Sequence, residues 1–473
     1  MNNLNTLPAA EQPICALATG TGGAIAIIRT SGGGVIDIVD KIFRPVGGVP
    51  LSETPNQTLR FGTIEDGEGK LLDEALVAVF RAPHSYTGED SVELSLHASS
   101  YIIHETLNRL CELGCRIAEP GEFTKRAFLN GKLDLSQAEA VADLIASSSR
   151  VAHDVAFSQM RGNFSTELQQ LCSNLQELSA LLELELDFDE YETMEFANRS
   201  TLISLINQTI ARIAQLIKSY DIGAMLKQGI PVAIVGKTNV GKSTLLNRLL
   251  REERAIVSNT HGTTRDTIED TIDIHGVTFR FIDTAGIRHT NDEVERIGIQ
   301  RTMNAIERAR IVLYVYDEEP SAQDIDEISC KAKGAEILYI RNKIDLQPLP
   351  AESCANPNAA EEAQVGSLHH PLRISAKTDE DIASVEEAIY KAVHLSEISE
   401  NEIIVTSARH RDALIRTRES LQRVSQSLQA NVTADLIAED LRLAIAQLSE
   451  ITGRSITPET TLQHIFSHFC VGK

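Results

Sequence analysis

The spacing of hydrophobic positions along this 473-residue chain changes character three times. Up to about residue 125 the apolar runs are short. Ala24-Ile25-Ala26-Ile27-Ile28 and Ala75 to Phe80 read as buried strands, and Val92-Glu93-Leu94-Ser95-Leu96 alternates as a half-exposed strand does. Clusters at Gly32-Gly33-Gly34, Gly47-Gly48 and Asp66-Gly67 punctuate them. From about Ala127 to Gly223 the step becomes three and four residues. Leu168, Leu171, Leu175, Leu178 and Leu182 form one stripe, and Ile203, Ile206, Ile210, Ile213 and Ile217 another, which predicts antiparallel helices of a bundle. Strand-like runs return at Ile230 to Val235, Thr278 to Ile282 and Ile337 to Ile340. Helical stepping then resumes through Leu421, Val424 and Leu428 to Ile437, Leu441, Ala444, Leu448 and Ile451.

The pattern predicts a multidomain chain that mixes α/β with all-α parts: an α/β domain over 1–125, helical segments over 126–223 and 396–473, and a second α/β domain over 224–395. A tail that resumes the texture of the middle predicts one bundle with the 224–395 domain inserted into it. A separate C-terminal helical domain is the alternative. Two loops are rich in polar groups, Pro83 to Asp90 and Pro120 to Arg126, and spacing alone makes both ordinary loops. The acidic stretch Asp187 to Glu192 reads as a solvated turn between helices, and 347–371, with Cys354, His369 and His370, as a surface insertion.

Charge narrows the partners. With 44 Lys+Arg against 67 Asp+Glu the net charge is −23, so any nucleic-acid contact has to be local or shared with another protein. Arg409-His410-Arg411, continuing to Arg416 and Arg418, is one basic run, and a solvated helix face is its plain reading. Seven cysteines without a Cys-x-x-Cys pair predict free thiols rather than disulfides or a zinc ribbon. No apolar run is long enough to span a membrane, and the Met1-Asn2-Asn3-Leu4 start lacks the regions of a signal peptide, so a cytoplasmic location is expected.

The chemistry begins at Gly236-Lys237-Thr238-Asn239-Val240-Gly241-Lys242-Ser243, which lies between a predicted buried strand and a predicted helix. In that context the glycines let backbone N–H groups approach phosphates, Lys242 brings a positive charge to the β and γ oxygens, and Ser243 offers a hydroxyl to Mg²⁺. Four more motifs follow in order. Gly262-Thr263-Thr264-Arg265-Asp266 sits in a loop that can fold over a triphosphate; Asp283-Thr284-Ala285-Gly286 ends a strand, where its carboxylate can reach the Mg²⁺ shell. Asn342-Lys343-Ile344-Asp345 offers an aspartate that accepts from N1–H and the exocyclic amine of guanine, and Ser375-Ala376-Lys377 resembles the loop behind the guanine oxygen in GTPases. Ile287 stands where Ras-like enzymes place a water-orienting glutamine, so Glu293 or Glu295 is the nearest carboxylate that a loop could bring to water. Asn239 has the neutral oxygen that a monovalent cation beside the phosphates would need.

With these motifs, the segment Pro120 to Leu135 and the ending Phe469-Cys470-Val471-Gly472-Lys473, the chain resembles the MnmE (TrmE) tRNA-modification GTPases from end to end. The resemblance implies an N-terminal α/β domain that dimerises and binds a tetrahydrofolate, a helical domain in two segments, and an inserted Ras-like GTPase domain. It implies folate contacts at Arg29, Glu93, Lys132 and Lys473, and GTP contacts at Asn239, Val240, Gly241, Lys242, Ser243 and Thr244. Further GTP contacts follow at Ser258, Asn259, Thr260, His261, Gly262, Thr263 and Thr264, at Asp283, Thr284, Ala285 and Gly286, and at Asn342, Lys343, Asp345, Ser375, Ala376 and Lys377. Ser243 and Thr264 match Mg²⁺ ligands; Asn239, Ser258, Thr260 and Thr263 match a potassium shell; Glu295 matches the water-positioning carboxylate. Cys470 matches a terminal cysteine near the one-carbon chemistry, with a buried thiol as its plain alternative. Thr21 and Ala98-Ser99 depart from the family pattern, where an arginine and a glycine pair are usual.

The function so implied is a homodimeric, potassium-stimulated GTPase. With a flavoprotein partner of the MnmG (GidA) type, in a heterotetramer that carries FAD on the partner only, it adds a carboxymethylaminomethyl or aminomethyl group to C5 of the wobble uridine of certain tRNAs. The one-carbon unit would come from a 5-formyl or 5,10-methylene tetrahydrofolate. Two other readings share the GTPase motifs: a GTP-operated assembly factor, for instance on ribosomes, and a nucleotide-binding scaffold that does not hydrolyse.

Overall fold

A computed structural model describes residues 12–20, 22–187, 199–251, 270–282, 305–332, 334–346, 370–393, 403–430, 432–454, 459–467 and 469–472. The chain divides into two compact units, one of residues 1–145, 157–213 and 412–473, the other of 146–156 and 214–411.

In the first unit seven strands, β1 (Ile14–Leu17), β2 (Ile25–Ser31), β3 (Phe43–Pro45), β4 (Thr58–Glu65), β5 (Leu71–Phe80), β6 (Ser91–His97) and β7 (Arg116–Ile117), form one sheet in the order β3-β4-β5-β6-β2-β1-β7. Alternation sorts each strand into two faces. Ile28, Val77, Val79, Val92 and Leu94 are buried in a core that includes Leu110 of the helix Ser100–Glu112. On the opposite face the register sets Arg29 directly across from Glu93, with Ala16 and Ala78 in the same row. Further along this face Leu59, Phe61 and Leu76 are 65%, 50% and 49% exposed, and Phe61 and Leu76 are cross-strand partners.

The helical part follows the stepping closely. All five leucines of the stripe in the helix Asn163–Asp187 are buried, as are Ile437, Leu441, Ala444, Leu448 and Ile451 of the helix Ala434–Thr452. Leu421, Val424 and Leu428 are buried in the helix Ala408–Gln429. In the helix Arg199–Gln228 the buried line is Leu202, Ile206, Thr209, Ile213 and Leu216, one position away from part of the predicted isoleucine stripe; Ile203, Ile210 and Ile217 lie at its margin. Both lines step by three and four, so only packing decides which is innermost.

Two expectations change. Pro120 to Arg126 is not a loop: a helix spans Glu122–Leu129, entered from Gly121 at φ 68°. A Cβ on Gly121 would stand 2.7 Å from the Phe466 carbonyl oxygen, so both the turn and the packing demand glycine. The basic run from Arg409 is not simply a solvated face either, because His410 is buried and the Arg411 guanidinium lies 4.6 Å from the centre of the Tyr220 ring. Cys15, Cys111, Cys115, Cys172, Cys330 and Cys470 are free thiols as expected. The acidic stretch 188–192 and most of the 347–371 insertion lie outside the described residues.

The second unit holds a six-stranded sheet of β8 (Ile230–Val235), β9 (Asp270–Ile274), β10 (Val277–Phe281), β11 (Ile311–Tyr316), β12 (Glu336–Arg341) and β13 (Leu372–Arg373), ordered β13-β12-β11-β8-β10-β9. Every pairing is parallel except that of β9 with β10. β11 is buried at all six positions and β8 at five, which is why these strands read as unbroken apolar runs.

Candidate functional site

In a parallel sheet the loops that leave the carboxyl ends of the strands gather at one edge, where such folds bind ligands. Here those are the loops after β8, β11, β12 and β13. The loop after β8 takes left-handed backbone at Asn239 (φ 62°) and glycine-only turns at Gly236 (φ 146°) and Gly241 (φ 101°). A Cβ on Gly236 would lie 2.0 Å from the Val315 carbonyl oxygen, and one on Gly241 would lie 2.2 Å from Asn342 Nδ2. The loop therefore closes tightly on its neighbours and leads into the helix Lys242–Arg251, whose first turn carries Ser243 and an exposed Thr244. The Lys242 ammonium donates to the carbonyls of Gly236 and Lys237, each at 2.6 Å, and burial lowers its pKa below the usual lysine value. On the outer side, Lys237 pairs at 3.1 Å with Asp324, which also completes the capping box of the helix Ala322–Lys331 with Ser321.

The base-side motifs converge on Asn342. Its side chain is buried; Nδ2 donates to the Val240 carbonyl at 2.8 Å, and Oδ1 accepts from the Ala376 N–H at 3.0 Å. One amide thus ties the phosphate loop to the Ser375-Ala376-Lys377 loop. Lys343, at φ 63°, pairs with Asp317 at the end of β11, 2.8 Å away. The exposed Asp345 accepts from Ser375 Oγ and from Lys377 Nζ, both at 3.1 Å, and the bond from Lys377 leads the causes that hold its pKa below the usual carboxylate value. An ionised carboxylate beside the edge of a bound base has the acceptor character that guanine requires.

Ser258, Asn259, Thr260, His261, Gly262, Thr263, Thr264, Asp283, Thr284, Ala285, Gly286, Ile287, Glu295 and Lys473 lie outside the described residues. Among the described residues there is no cluster of His, Cys, Asp and Glu that could hold a metal ion, and no helix is long and apolar enough to cross a membrane.

In the first unit a second constellation forms on the sheet face that carries Arg29. Arg29 Nε donates to Glu93 Oε1 at 2.8 Å, and its guanidinium lies 5.6 Å from the centre of the Tyr86 ring and 5.9 Å from that of Phe123. The end of the chain reaches this same place. The Gly472 carbonyl accepts from Arg29 Nη1 at 3.4 Å, the Gly121 N–H donates to the Cys470 carbonyl at 3.3 Å, and Cys470 itself is exposed. Gly472, at φ 95°, fits because a Cβ there would stand 2.3 Å from the Leu17 carbonyl oxygen. Lys132 is brought to the rim, where its ammonium donates to the Pro83 carbonyl at 3.0 Å.

The resemblance assigns the Pro83 to Asp90 and Pro120 to Arg126 segments to the folate site; sequence reasoning missed the contacts that join them. Tyr86 donates to or accepts from Thr124 at 2.9 Å, Asn130 donates to the Thr87 carbonyl at 2.8 Å, and the buried Arg126 pairs with Glu122 at 3.0 Å and Glu89 at 3.1 Å. Glu122 also accepts from Arg116, and the helix Glu122–Leu129 holds the Pro83 to Asp90 loop through Thr124 on Tyr86 and Arg126 on Glu89. The signal was present: Glu122 and Arg126 are four residues apart, as an ion pair on one helix face must be.

A parallel sheet with a glycine-rich phosphate loop at its switch point, and an Asn-Lys-x-Asp strand end beside it, defines a P-loop nucleotide-binding protein of the GTPase type. Comparison with known proteins carries this further. Residues 13–132 match the model described as GTP-binding protein TrmE N-terminus, and residues 135–470 match the MnmE helical domain. A tRNA modification GTPase MnmE from Phocaeicola vulgatus is 46% identical over 98% of this chain and 99% of its own. Proteins of the same name from Bacteroides fragilis and Flavobacterium johnsoniae are 48% and 45% identical, again over 98% of this chain and over 100% and 99% of their own. The chain belongs to the MnmE family of tRNA modification GTPases.

Proposed function

We propose that this protein hydrolyses GTP in step with modification of the wobble uridine of certain tRNAs. It acts as a homodimer with a flavin-containing partner of the MnmG type, which carries the FAD. The observation that carries the reading is that Cys470 to Gly472 lie against Arg29 beside Glu93 and Tyr86, within the first unit, whereas the nucleotide loops belong to the second. An assembly factor that only switches on GTP has no use for such a cleft. A reduced folate, in the 5-formyl or 5,10-methylene form, fits its chemistry: the Arg29 guanidinium and Glu93 carboxylate offer paired donors and acceptors to a pterin, and Lys132, with Lys473 by the family resemblance, is assigned to its carboxylates. The folate supplies the one-carbon unit, and the exposed Cys470 is the thiol assigned to act beside it. The exposed Leu59, Phe61 and Leu76 on the same sheet face suit the homodimer contact.

At the nucleotide, Ser243 and Thr264 would hold Mg²⁺, while Asn239, Ser258, Thr260 and Thr263 would hold potassium. The residues present fit both ions in type: hydroxyls for the hard divalent ion, and an exposed amide on the loop for the monovalent one. When bound, these cations offset the charge that develops on the phosphates. Lys242 reaches the phosphates with its amino group, Asn342 ties the phosphate loop to the Ser375-Ala376-Lys377 loop, and Glu295 orients the attacking water. The proposed domains are 1–125 for folate binding and dimerisation, 126–223 with 396–473 for the helical domain, and 224–395 for the inserted GTPase.

Two measurements test this. With an MnmG-type partner, unmodified tRNA, a reduced folate, and glycine or ammonium, mass analysis of the tRNA nucleosides should show the C5 modification only when GTP and potassium are both present; an unmodified uridine under those conditions overturns the reading. Replacing Glu295 by Ala should lower GTP turnover by about 10²-fold or more while GTP binding is kept, and unchanged turnover would remove the role assigned to it.

A further inference from the structure

Arg248 lies on the helix Lys242–Arg251, which the phosphate loop opens, yet its guanidinium acts at the other end of the site. Nη2 donates to the Lys377 carbonyl at 3.2 Å and pairs with Asp379, the first residue of the helix Asp379–Lys391. Its Nε is buried without a hydrogen-bond partner, a cost that a surface arginine swinging into water would not bear. The Ser375-Ala376-Lys377 loop is therefore fastened on three sides. Asn342 Oδ1 accepts from the Ala376 N–H at 3.0 Å, Asp381 accepts from the Ser375 N–H at 2.7 Å, and Arg248 donates to the Lys377 carbonyl. Two of these three anchors lead back to the phosphate side, Asn342 through the Val240 carbonyl and Arg248 through its own helix.

We propose that Arg248 is a positioning residue for base selection: by holding the Lys377 carbonyl it fixes the Ser375-Ala376-Lys377 loop, whose Lys377 N–H is the backbone donor left for the 6-oxygen of guanine once Asp381 and Asn342 have taken those of Ser375 and Ala376, and it links that loop to the phosphate-binding helix. The inference rests on the guanine reading above. Asp345 acts on a different edge of the base, so the two contributions separate with the right analogues. Inosine diphosphate keeps the 6-oxygen and lacks the 2-amine that donates to Asp345; 2-aminopurine riboside diphosphate keeps the amine but lacks the 6-oxygen and, with it, the N1–H, so only the change in its affinity between parent and variant is read.

Competition against a fluorescent GDP measures all three affinities on the full-length protein. Arg248→Ala should weaken GDP and inosine diphosphate alike, each about tenfold, which corresponds to about 1.4 kcal/mol. It should leave 2-aminopurine riboside diphosphate within about twofold of the parent protein, since that ligand never used the oxygen contact. The ratio of GDP to 2-aminopurine affinity then collapses while the ratio of GDP to inosine affinity holds. Arg248→Lys, which can still donate to the same carbonyl, should recover most of the loss. Arg248→Met keeps the aliphatic stem and serves if the alanine variant does not fold. Equal weakening of all three ligands marks a merely structural residue and overturns the proposal, as does no change in any of them. A parent protein with no preference for GDP over inosine diphosphate would instead overturn the guanine reading itself.

Discussion

At the scale of single residues, the chain's chemistry depends on atoms that leave no room. The glycines of Gly236 to Ser243 were readable as a phosphate loop because glycine at those positions has one common reason, but why Gly241 cannot change is visible only in the fold, where Asn342 Nδ2 fills the space of a Cβ. Asn342 itself was readable as part of a guanine motif and not as the tie between two loops, because that role depends on Val240 and Ala376, which sequence separates by 136 residues and the sheet brings together. Glu122 is a second such residue. Burial acts to raise its pKa, but the hydrogen bond from Arg116, the Glu119 N–H and the charges of Arg116 and Arg126 outweigh it, so the folded-state value lies below the ordinary 4.5. A carboxylate with a depressed folded pKa contributes stability that is fully present above the unfolded value and is lost as pH falls through the folded one. Replacing Glu122 by Gln should therefore destabilise the protein by about 3–5 kcal/mol at pH 7, because Arg126 loses its closest counter-charge, and should flatten the loss of thermal stability below about pH 4.5. Parallel melting curves at neutral and acid pH would show both effects, and identical acid limbs for the two proteins would refute the assignment.

At the scale of elements, periodicity worked where one face of a helix is buried over many turns and failed where a polar residue is part of the core. The leucine stripe of the helix Asn163–Asp187 and the stripe Ile437 to Ile451 of the helix Ala434–Thr452 are buried throughout, so the three-four step alone was sufficient. The helix Glu122–Leu129 looked like a loop because Glu122, Thr124 and Arg126 are buried and polar, and a hydrophobicity pattern counts them as solvent-facing. Leu441 is fully buried in the helix Ala434–Thr452. Leu441→Ala should cost about 2–5 kcal/mol, read as a lower urea midpoint with an unchanged slope.

At the scale of the molecule, strand order and family resemblance agree on the nucleotide-binding unit: in the order β13-β12-β11-β8-β10-β9, the described motifs sit in the loops after the parallel strands β8, β12 and β13. The N-terminal cleft was legible only through that resemblance. Its parts, Arg29, Glu93, Tyr86, Phe123 and Gly472, come from strands, a loop, a helix and the chain end, and no local spacing announces that they meet. The central claim is that this meeting place binds a reduced folate, and calorimetric titration of 5-formyl-tetrahydrofolate into the intact protein tests it most directly. Side by side with it belong Arg29→Ala, which removes the guanidinium, and Gly472→Ala, whose Cβ would stand 2.3 Å from the Leu17 carbonyl and push the chain end out of the cleft. Saturable one-to-one binding to the parent protein, lost or weakened at least about tenfold (about 1.4 kcal/mol) in both variants while GDP affinity is unchanged, is the result predicted. No binding to the parent protein, or equal binding to all three, would contradict it.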